Sequence, residues 1–337
     1  MMEELIACIT SDLCVKLPHQ RKTHRDKLAI LVGTLLRVQE SNLMVLASAL
    51  PRKIASVDKR YQYIERYLTN EAIAVAPIMK AYAGEIFARV AASGEVIHLM
   101  LDQSQIRGDM QVLMLSVRAG KRALPVLWRV RQTEGNIGWE TQETLLHEVA
   151  SWIPQDASVC LSADRFYGTA ALVGWCQQQH WGYRIRLKGN LIFRHNGGTI
   201  TPTTAHATGN TYLCNATFHR TEITTNIGIL HEHGHPEPWF IAMDAQPNRQ
   251  TILEYGKRWG IEAMFSDFKS RGFGIANTQI KKPKRLEKLL LLLTLALYWA
   301  TSTAMWCHQQ NPQKGTIKKN SVPLPHSSLK DSVSSSL

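Results

Sequence analysis

Two acidic residues stand where predicted strands end. Asp102 follows the apolar run EVIHLML, and Asp164 follows the run ASVCLSA. Carboxylates at the ends of neighbouring central strands can point into one cleft, where their charges repel each other unless a divalent cation lies between them. Mg²⁺ binds few carboxylates, keeps several waters and accepts substrate phosphates, so this pair favours phosphodiester chemistry. The alternative is that each acid is a turn or cap residue.

A third acid lies on a long helix that the sequence predicts from Arg249 to about Ser270. At about 100° per residue, four side chains of this helix fall within about 60° of one another. They are Tyr255, Arg258, Glu262 and Lys269. One face therefore carries a phenol, two cations and a carboxylate. A solvent-exposed Arg–Glu pair is the alternative, but it accounts for neither the Tyr nor the Lys.

This spacing resembles a known signature. The pattern Tyr-x₂-Arg-x₃-Glu-x₆-Lys, present here as YGKRWGIEAMFSDFK, is similar to that of the DDE transposases of insertion sequence four, a large bacterial family. The resemblance covers about residues 30–310 and implies cut-and-paste DNA transposition. It also implies that Asp102, Asp164 and Glu262 hold two Mg²⁺ ions, for which Mn²⁺ can substitute.

The same resemblance implies contacts with double-stranded DNA, both as terminal inverted repeats and as target. Arg258 and Lys269 would clamp phosphates of the transposon end, Tyr255 would hydrogen-bond to one, and Arg165 could contact the backbone. Trp239 matches the residue that stacks on a flipped base in relatives that form a DNA hairpin, with core packing as its alternative. A homodimer is expected in the synaptic complex.

Two other functions are compatible with these residues. One is an RNase H-like DNA nuclease that cuts without strand transfer. The other is a helix-turn-helix repressor or a domesticated element that keeps only DNA binding. Because all three acids and the full signature are present, we expect an active enzyme.

The elements that must position these residues follow the order of an RNase H-like α/β core. The sequence predicts strands at 95–102, 110–117, 123–130, 157–164 and 183–187, with helices at 140–152 and 169–180. A β-rich insertion is expected at about 189–237, before the core resumes at Trp239–Met243. On the long helix, Trp259, Met264 and Phe268 are expected to face the core.

Residues 1–90 are predicted to form a small all-α, DNA-binding domain ahead of the catalytic domain, 91–310. Pro51 would end one helix and Ser56 would cap the next, a pattern that resembles a helix-turn-helix. Lys59 and Arg60 on the second helix are candidate DNA contacts. Any small helical bundle gives a similar pattern. Residues 311–337 are predicted to be a disordered, basic and Ser-rich tail.

The charge distribution favours a polyanionic partner. Lys and Arg number 39 against 27 Asp and Glu, which gives a net charge of +12. The excess lies within residues 1–90 and beyond residue 270, whereas the middle of the chain is neutral. Lys281 and Lys282 open the C-terminal basic segment, where DNA leaving the catalytic helix could be held.

Several classes of protein are disfavoured. Six Cys without a C-x-x-C pair argue against a disulfide scaffold or a Cys-based zinc ribbon. The acidic N-terminus has no signal-peptide pattern, so we expect a bacterial cytoplasmic, nucleoid-associated protein. An H-E-x-x-H match begins at His231, but neighbouring Gly and Pro predict a loop there. The apolar stretch Leu289–Cys307 is long enough to cross a membrane, although we expect a core helix and no membrane partner.

Overall fold

The computed structural model describes residues 2–52, 56–233 and 236–310, which form a mixed α/β fold with one large sheet. The predicted disordered tail, 311–337, lies outside the described residues. The strands are β1 (Ile97–Arg107), β2 (Met110–Ala119), β3 (Arg122–Gln132), β4 (Val159–Ala163), β5 (Gly182–Arg186), β6 (Phe193–His195), β7 (Gly198–Ile200), β8 (Tyr212–Phe218), β9 (Thr224–Leu230) and β10 (Trp239–Met243).

Five strands form the centre of this sheet in the order β3-β2-β1-β4-β5. The hairpins β1–β2 and β2–β3 are antiparallel, whereas β1–β4 and β4–β5 are parallel. Parallel neighbours need a crossover connection. Helices α6 (Trp139–Ala150) and α7 (Ala170–Gln178) lie in the connections that lead to β4 and β5. This order matches the predicted succession of elements and is consistent with an RNase H-like nuclease fold.

The segment expected as an insertion is rich in strands, and those strands belong to the same sheet. β10 pairs antiparallel with β5 on one side and with β9 on the other. Beyond β9 the order continues through β8 and β6 to β7, so the sheet has ten strands. One short helix, α8 (Pro202–Ala207), interrupts the strands. The insertion therefore extends the core sheet at one edge.

The N-terminal segment is helical. Its helices are α1 (Met2–Lys16), α2 (Lys22–Val38), α3 (Leu43–Ala49), α4 (Val57–Thr69) and α5 (Val75–Ala92). The Ser56 hydroxyl accepts a hydrogen bond from the Lys59 amide at 3.3 Å, which gives α4 its N-terminal cap. Buried side chains of these helices are continuous with those of the sheet in one hydrophobic cluster. A domain boundary near residue 90 stays a prediction.

The prediction of one continuous helix from Arg249 to Ser270 is wrong. The segment divides into α9 (Arg249–Leu253), a 3₁₀ segment (Glu254–Trp259) and α10 (Gly260–Phe268). A 3₁₀ segment has three residues per turn, so Tyr255 and Arg258 still share a face. Met264 and Phe268 are buried as expected, but Trp259 is 49% exposed and does not anchor the segment to the core.

The final helix, α11 (Pro283–Gln310), meets the length and hydropathy expected of a membrane span over Pro283–Cys307. Its apolar residues pack against β3 and α2, and 61% of its most apolar window is buried within the protein. The Tyr298 hydroxyl donates a hydrogen bond to the Pro125 carbonyl at 2.8 Å. These contacts favour a helix that covers the sheet.

We therefore expect carbonate extraction of cells that express the chain to release it into the supernatant. The apolar face of a core helix packs against the sheet and has no contact with lipid, whereas a bilayer-spanning helix resists extraction. Immunoblotting of the supernatant and the membrane pellet measures the partition. Retention in the pellet would contradict the assignment of α11 to the core.

Candidate active site

The register of two parallel strands brings Asp102 and Asp164 to one edge. Leu101 lies opposite Ala163 in the last pair of β1 with β4. The next residue in the chain is an acid on both sides, Asp102 after Leu101 and Asp164 after Ala163. Asp164 comes directly after β4, as predicted. The prediction that Asp102 ends its strand is wrong, because β1 continues to Arg107 while paired with β2. Asp102 instead marks the point where β1 has lost its parallel neighbour.

A guanidinium joins the acids. Arg258 Nη1 donates to Asp102 Oδ2 at 2.8 Å, and Nη2 donates to Glu262 Oε1 at 2.5 Å. Arg258 Nε donates to the Tyr255 hydroxyl at 2.9 Å, and that hydroxyl reaches Asp164 Oδ1 at 3.4 Å. We call these five residues the Arg258 cluster. Side chains from β1, from the turn after β4 and from the 3₁₀–α10 segment thus meet at one point.

Burial makes the electrostatics of the Arg258 cluster strong. The Arg258 side chain is 6% exposed and that of Asp102 is 17% exposed, whereas that of Glu262 is 55% exposed. Desolvation raises the pKa of Asp102 to about 6, because it outweighs the lowering by Arg258 and acts together with repulsion from Asp164 and Glu262. Burial lowers the pKa of Arg258, but Tyr255, Asp102 and Glu262 raise it above its ordinary value overall. The guanidinium therefore stays charged.

Tyr255 completes the connection to Asp164. Burial raises the pKa of its hydroxyl to about 12, although Arg258 opposes the shift. The hydroxyl therefore keeps its proton at neutral pH and can donate it to a carboxylate or to a phosphate oxygen. Its ring also meets the Trp239 ring edge to face, with 5.4 Å between the ring centroids.

The donor set of the three acids fits a hard divalent cation, because carboxylate oxygens are the ligands that Mg²⁺ prefers. As the side chains stand, no three His, Cys, Asp or Glu side chains within residues 2–52, 56–233 and 236–310 form a group that could hold a metal ion. Arg258 already binds Asp102 and Glu262. The guanidinium thus takes the role of counter-ion in this arrangement.

A family model described as the transposase DDE domain matches residues 139–299. This match supports a DDE transposase. The matched range contains Asp164 and the whole 255–269 signature, and it begins after Asp102. As an enzyme of this kind, the chain would cut or join nucleic acid, and proteins of this family generally use divalent metals.

Two further comparisons complete this result. No curated protein sequence matches the chain. Among solved structures, the chain is similar to Marinitoga piezophila Argonaute in complex with a 5′-OH guide RNA and target DNA, with 10% sequence identity and a TM-score of 0.26. The alignment covers 76% of this chain, which spans only 38% of that structure.

The other candidate residues of the site, Lys269, Arg165 and Trp239, differ in their contacts. Lys269 follows α10, and its side chain makes no ion pair within the part of the chain that the structure describes. Burial lowers the pKa of Lys269. Arg165 donates to Glu237 at 3.1 Å and lies next to Asp164. Trp239 opens β10 and contacts both Tyr255 and Trp259 edge to face, so it borders the cluster without being fully buried.

The predicted DNA contacts outside the catalytic segment differ in their accessibility. Lys59, Lys281 and Lys282 are exposed. Arg60 is turned inward instead, and its Nη1 donates to the Ser48 carbonyl at 3.3 Å. The H-E-x-x-H match that begins at His231 is not helical over its described residues, and its last member, His235, lies outside the described residues.

Sequence reasoning missed a second polar network under the 3₁₀ segment, the Arg184 network, formed by His98, Arg184, Asp244, Glu254 and Lys257. Buried Arg184 donates to Asp244 at 2.7 Å and to Glu254 at 2.8 Å. Lys257 Nζ lies 3.2 Å from His98 Nε2. These contacts attach the 3₁₀ segment to the sheet at Glu254 and Lys257, on both sides of Tyr255, and so help to fix Tyr255 and Arg258 over the acids. The sequence feature that could have indicated this network was Arg184, a charged residue within a short predicted core strand.

We expect Arg258→Gln to lower the free energy of unfolding by about 3 kcal/mol when divalent cations are absent, because it leaves the buried Asp102 carboxylate without its counter-ion. Urea denaturation in the presence of EDTA measures the change. Arg194→Gln is the matched control, since the Arg194–Glu222 pair at 3.1 Å is exposed and should contribute little. An equal loss in both variants would contradict the role of Arg258.

The Arg184 network predicts a pH dependence. Burial, followed by repulsion from Lys257, lowers the pKa of His98 to about 4, so His98 is neutral in the folded protein at pH 6. The unfolded chain takes up this proton near pH 6.5, so the free energy of unfolding falls as the pH drops from 6.5 towards 4. His98→Gln should lose less stability than the native chain between pH 7 and pH 5 in urea titrations. The exposed His219→Gln variant is the control, and identical slopes in all three proteins would exclude this contribution.

Proposed function

We propose that the chain is a transposase of the insertion-sequence-four family that moves its element by cut-and-paste transposition. It binds terminal inverted repeats as a homodimer in a synaptic complex, cleaves the DNA strands at the element's ends and joins them to target DNA. It acts in the bacterial cytoplasm on the nucleoid. The observation that carries this proposal is the Arg258 cluster, in which Arg258 binds Asp102 and Glu262 directly and Tyr255 links it to Asp164.

The proposed metal ligands are Asp102, Asp164 and Glu262, which together hold two Mg²⁺ ions. When bound, such ions activate the attacking water or DNA 3′-hydroxyl and stabilise the leaving oxygen. Their carboxylate chemistry and their shared position support this assignment. Exposed Glu262 is the acid that can move most easily, since it lies at the open side of the cluster.

The other side chains of the cluster would act on the DNA. With the carboxylates neutralised by divalent ions, the Arg258 guanidinium would be free to bind a phosphate through the same Nη atoms. Tyr255 keeps its proton and donates a hydrogen bond to a phosphate oxygen. Arg165 beside Asp164 and Lys269 at the end of α10 supply further positive charge. These cations orient the scissile phosphate beside the acids.

The wider DNA interface would include three exposed lysines. Lys59 on α4 contacts the terminal repeat, and Lys281 with Lys282 contacts DNA beyond the catalytic segment. Charge neutralisation of this kind makes binding strongly salt-dependent. Trp239, at the border of the Arg258 cluster, would stack on a flipped base if a hairpin forms.

Asp102→Asn, Asp164→Asn and Glu262→Gln should each reduce cleavage of the element's ends by several orders of magnitude, because each removes a carboxylate that would hold a metal ion. Gel assays with Mg²⁺ and labelled end DNA measure strand cleavage and strand transfer. Asp267→Asn is the matched control, because Asp267 lies on the same helix as Glu262 but pairs with Arg122 at 3.0 Å.

The same assay separates the alternatives. Cleavage without joining to target DNA would indicate a nuclease and overturn the transposase proposal. Undiminished biological function in the variant with all three acids replaced would indicate a DNA-binding protein without catalysis.

A further inference from the structure

An apolar ring is exposed two residues after Asp164. Phe166 lies in the 3₁₀ turn Arg165–Tyr167 and is 52% exposed, whereas its neighbour Tyr167 is buried. The Asn136 amide donates to the Phe166 carbonyl at 3.4 Å, which helps to hold the turn. A large aromatic side chain that contributes so little to the core, at the edge of the acids, requires another explanation than packing.

A glycine fixes the turn against the end of β5. A Cβ atom on Gly168 would lie 2.4 Å from the Arg186 carbonyl oxygen and 3.2 Å from Leu187 Cα. Any other residue would push the turn away from the strand. The close approach therefore brings the ring of Phe166 to the residue that follows Leu187 in the chain.

That residue is Lys188, whose Nζ lies 5.4 Å from the centroid of the Phe166 ring. Lys188 is exposed, and the backbone after it is held in place because a Cβ on Gly189 would lie 2.3 Å from Thr203 Oγ1. Arg165, the residue before Phe166, is also exposed but forms an ion pair with Glu237 at 3.1 Å. We call Phe166 and Lys188 the Phe166 platform.

We propose that the Phe166 platform binds one unpaired nucleobase of a DNA strand, with Lys188 on the adjoining phosphate. This proposal rests on the proposed function, because it is the DNA at the acids that would supply the base. A flat aromatic ring stacks on a base only when that base has left the duplex, and such stacking contributes about 1–3 kcal/mol per base. The positive charge of Lys188 beside the ring disfavours an apolar protein partner and complements the phosphate of a nucleotide.

The test measures binding of the full chain to fluorescein-labelled oligothymidine and to a blunt duplex by fluorescence anisotropy in EDTA, so that no cleavage occurs. Phe166→Ala should weaken oligothymidine binding by about 5-fold to 100-fold, while duplex binding changes little. Phe166→Trp should restore it. Lys188→Ala should reduce the slope of log affinity against log salt by about 0.7.

Tyr212→Ala is the matched control, because Tyr212 is another exposed aromatic residue but lies on β8, three strands from β5 in the sheet. The proposal is overturned if Phe166→Ala and Tyr212→Ala bind oligothymidine equally, or if Phe166→Ala weakens both DNA forms to the same extent. Because the assay needs no catalysis, its failure would leave the cleavage test of the proposed function untouched. If Phe166→Ala selectively weakens oligothymidine binding but the native chain never cleaves end DNA, the base-binding role of the Phe166 platform stands and the transposase proposal fails.

Discussion

The ion pairs of Arg258 are the interaction on which the rest of the site depends. Burial raises the pKa of Asp102, chiefly by desolvation, and repulsion from Asp164 and Glu262 adds a smaller contribution. A buried guanidinium with three donor nitrogens can satisfy Asp102, Glu262 and Tyr255 at once. The fold can therefore bring three carboxylates together with Arg258 as their counter-ion.

Several elements together position the contacts of Arg258. The register of β1 and β4 sets Asp102 beside Asp164, and the 3₁₀ segment sets Tyr255 and Arg258 on one face above them. The Arg184 network attaches that segment to β5 and to the end of β10. The inserted strands join the sheet at β10, so these strands and the 3₁₀ segment are attached to the same part of the sheet.

The sequence could predict the central strands and helices because their apolar runs were long and their order left few topologies. It could predict the grouping of Tyr255, Arg258 and Glu262, since a spacing of three residues shares a face in both helix types and the spacing of four from Arg258 to Glu262 does so in an α-helix. It could not predict the break at Glu254, because hydrophobic periodicity does not distinguish an α-helix from a short 3₁₀ segment. Asp102 was misplaced at a strand end because a strand can lose one neighbour and continue beside another.

The sequence also could not show in which direction individual charged side chains point. Composition counts charges but does not show which of them turn inward, as Arg60 does towards Ser48. Arg285 likewise binds Glu65 of α4, and Lys288 donates to the carbonyl of Asn70, the residue after α4. These contacts hold α11 against α4. Arg184 was overlooked because a single Arg in a five-residue strand gives no periodic signal. Such residues become visible only when their partners, distant in sequence, are known.

If Asp102, Asp164 and Glu262 form one metal site, Arg258 takes the place of the metal cation among them in the metal-free protein. Anomalous scattering from crystals soaked in Mn²⁺ tests it most directly. We expect a peak bound by the Asp102 and Asp164 carboxylates, with the Arg258 guanidinium detached from Asp102. Crystals that show Mn²⁺ elsewhere, with the Arg258–Asp102 contact intact, would contradict it.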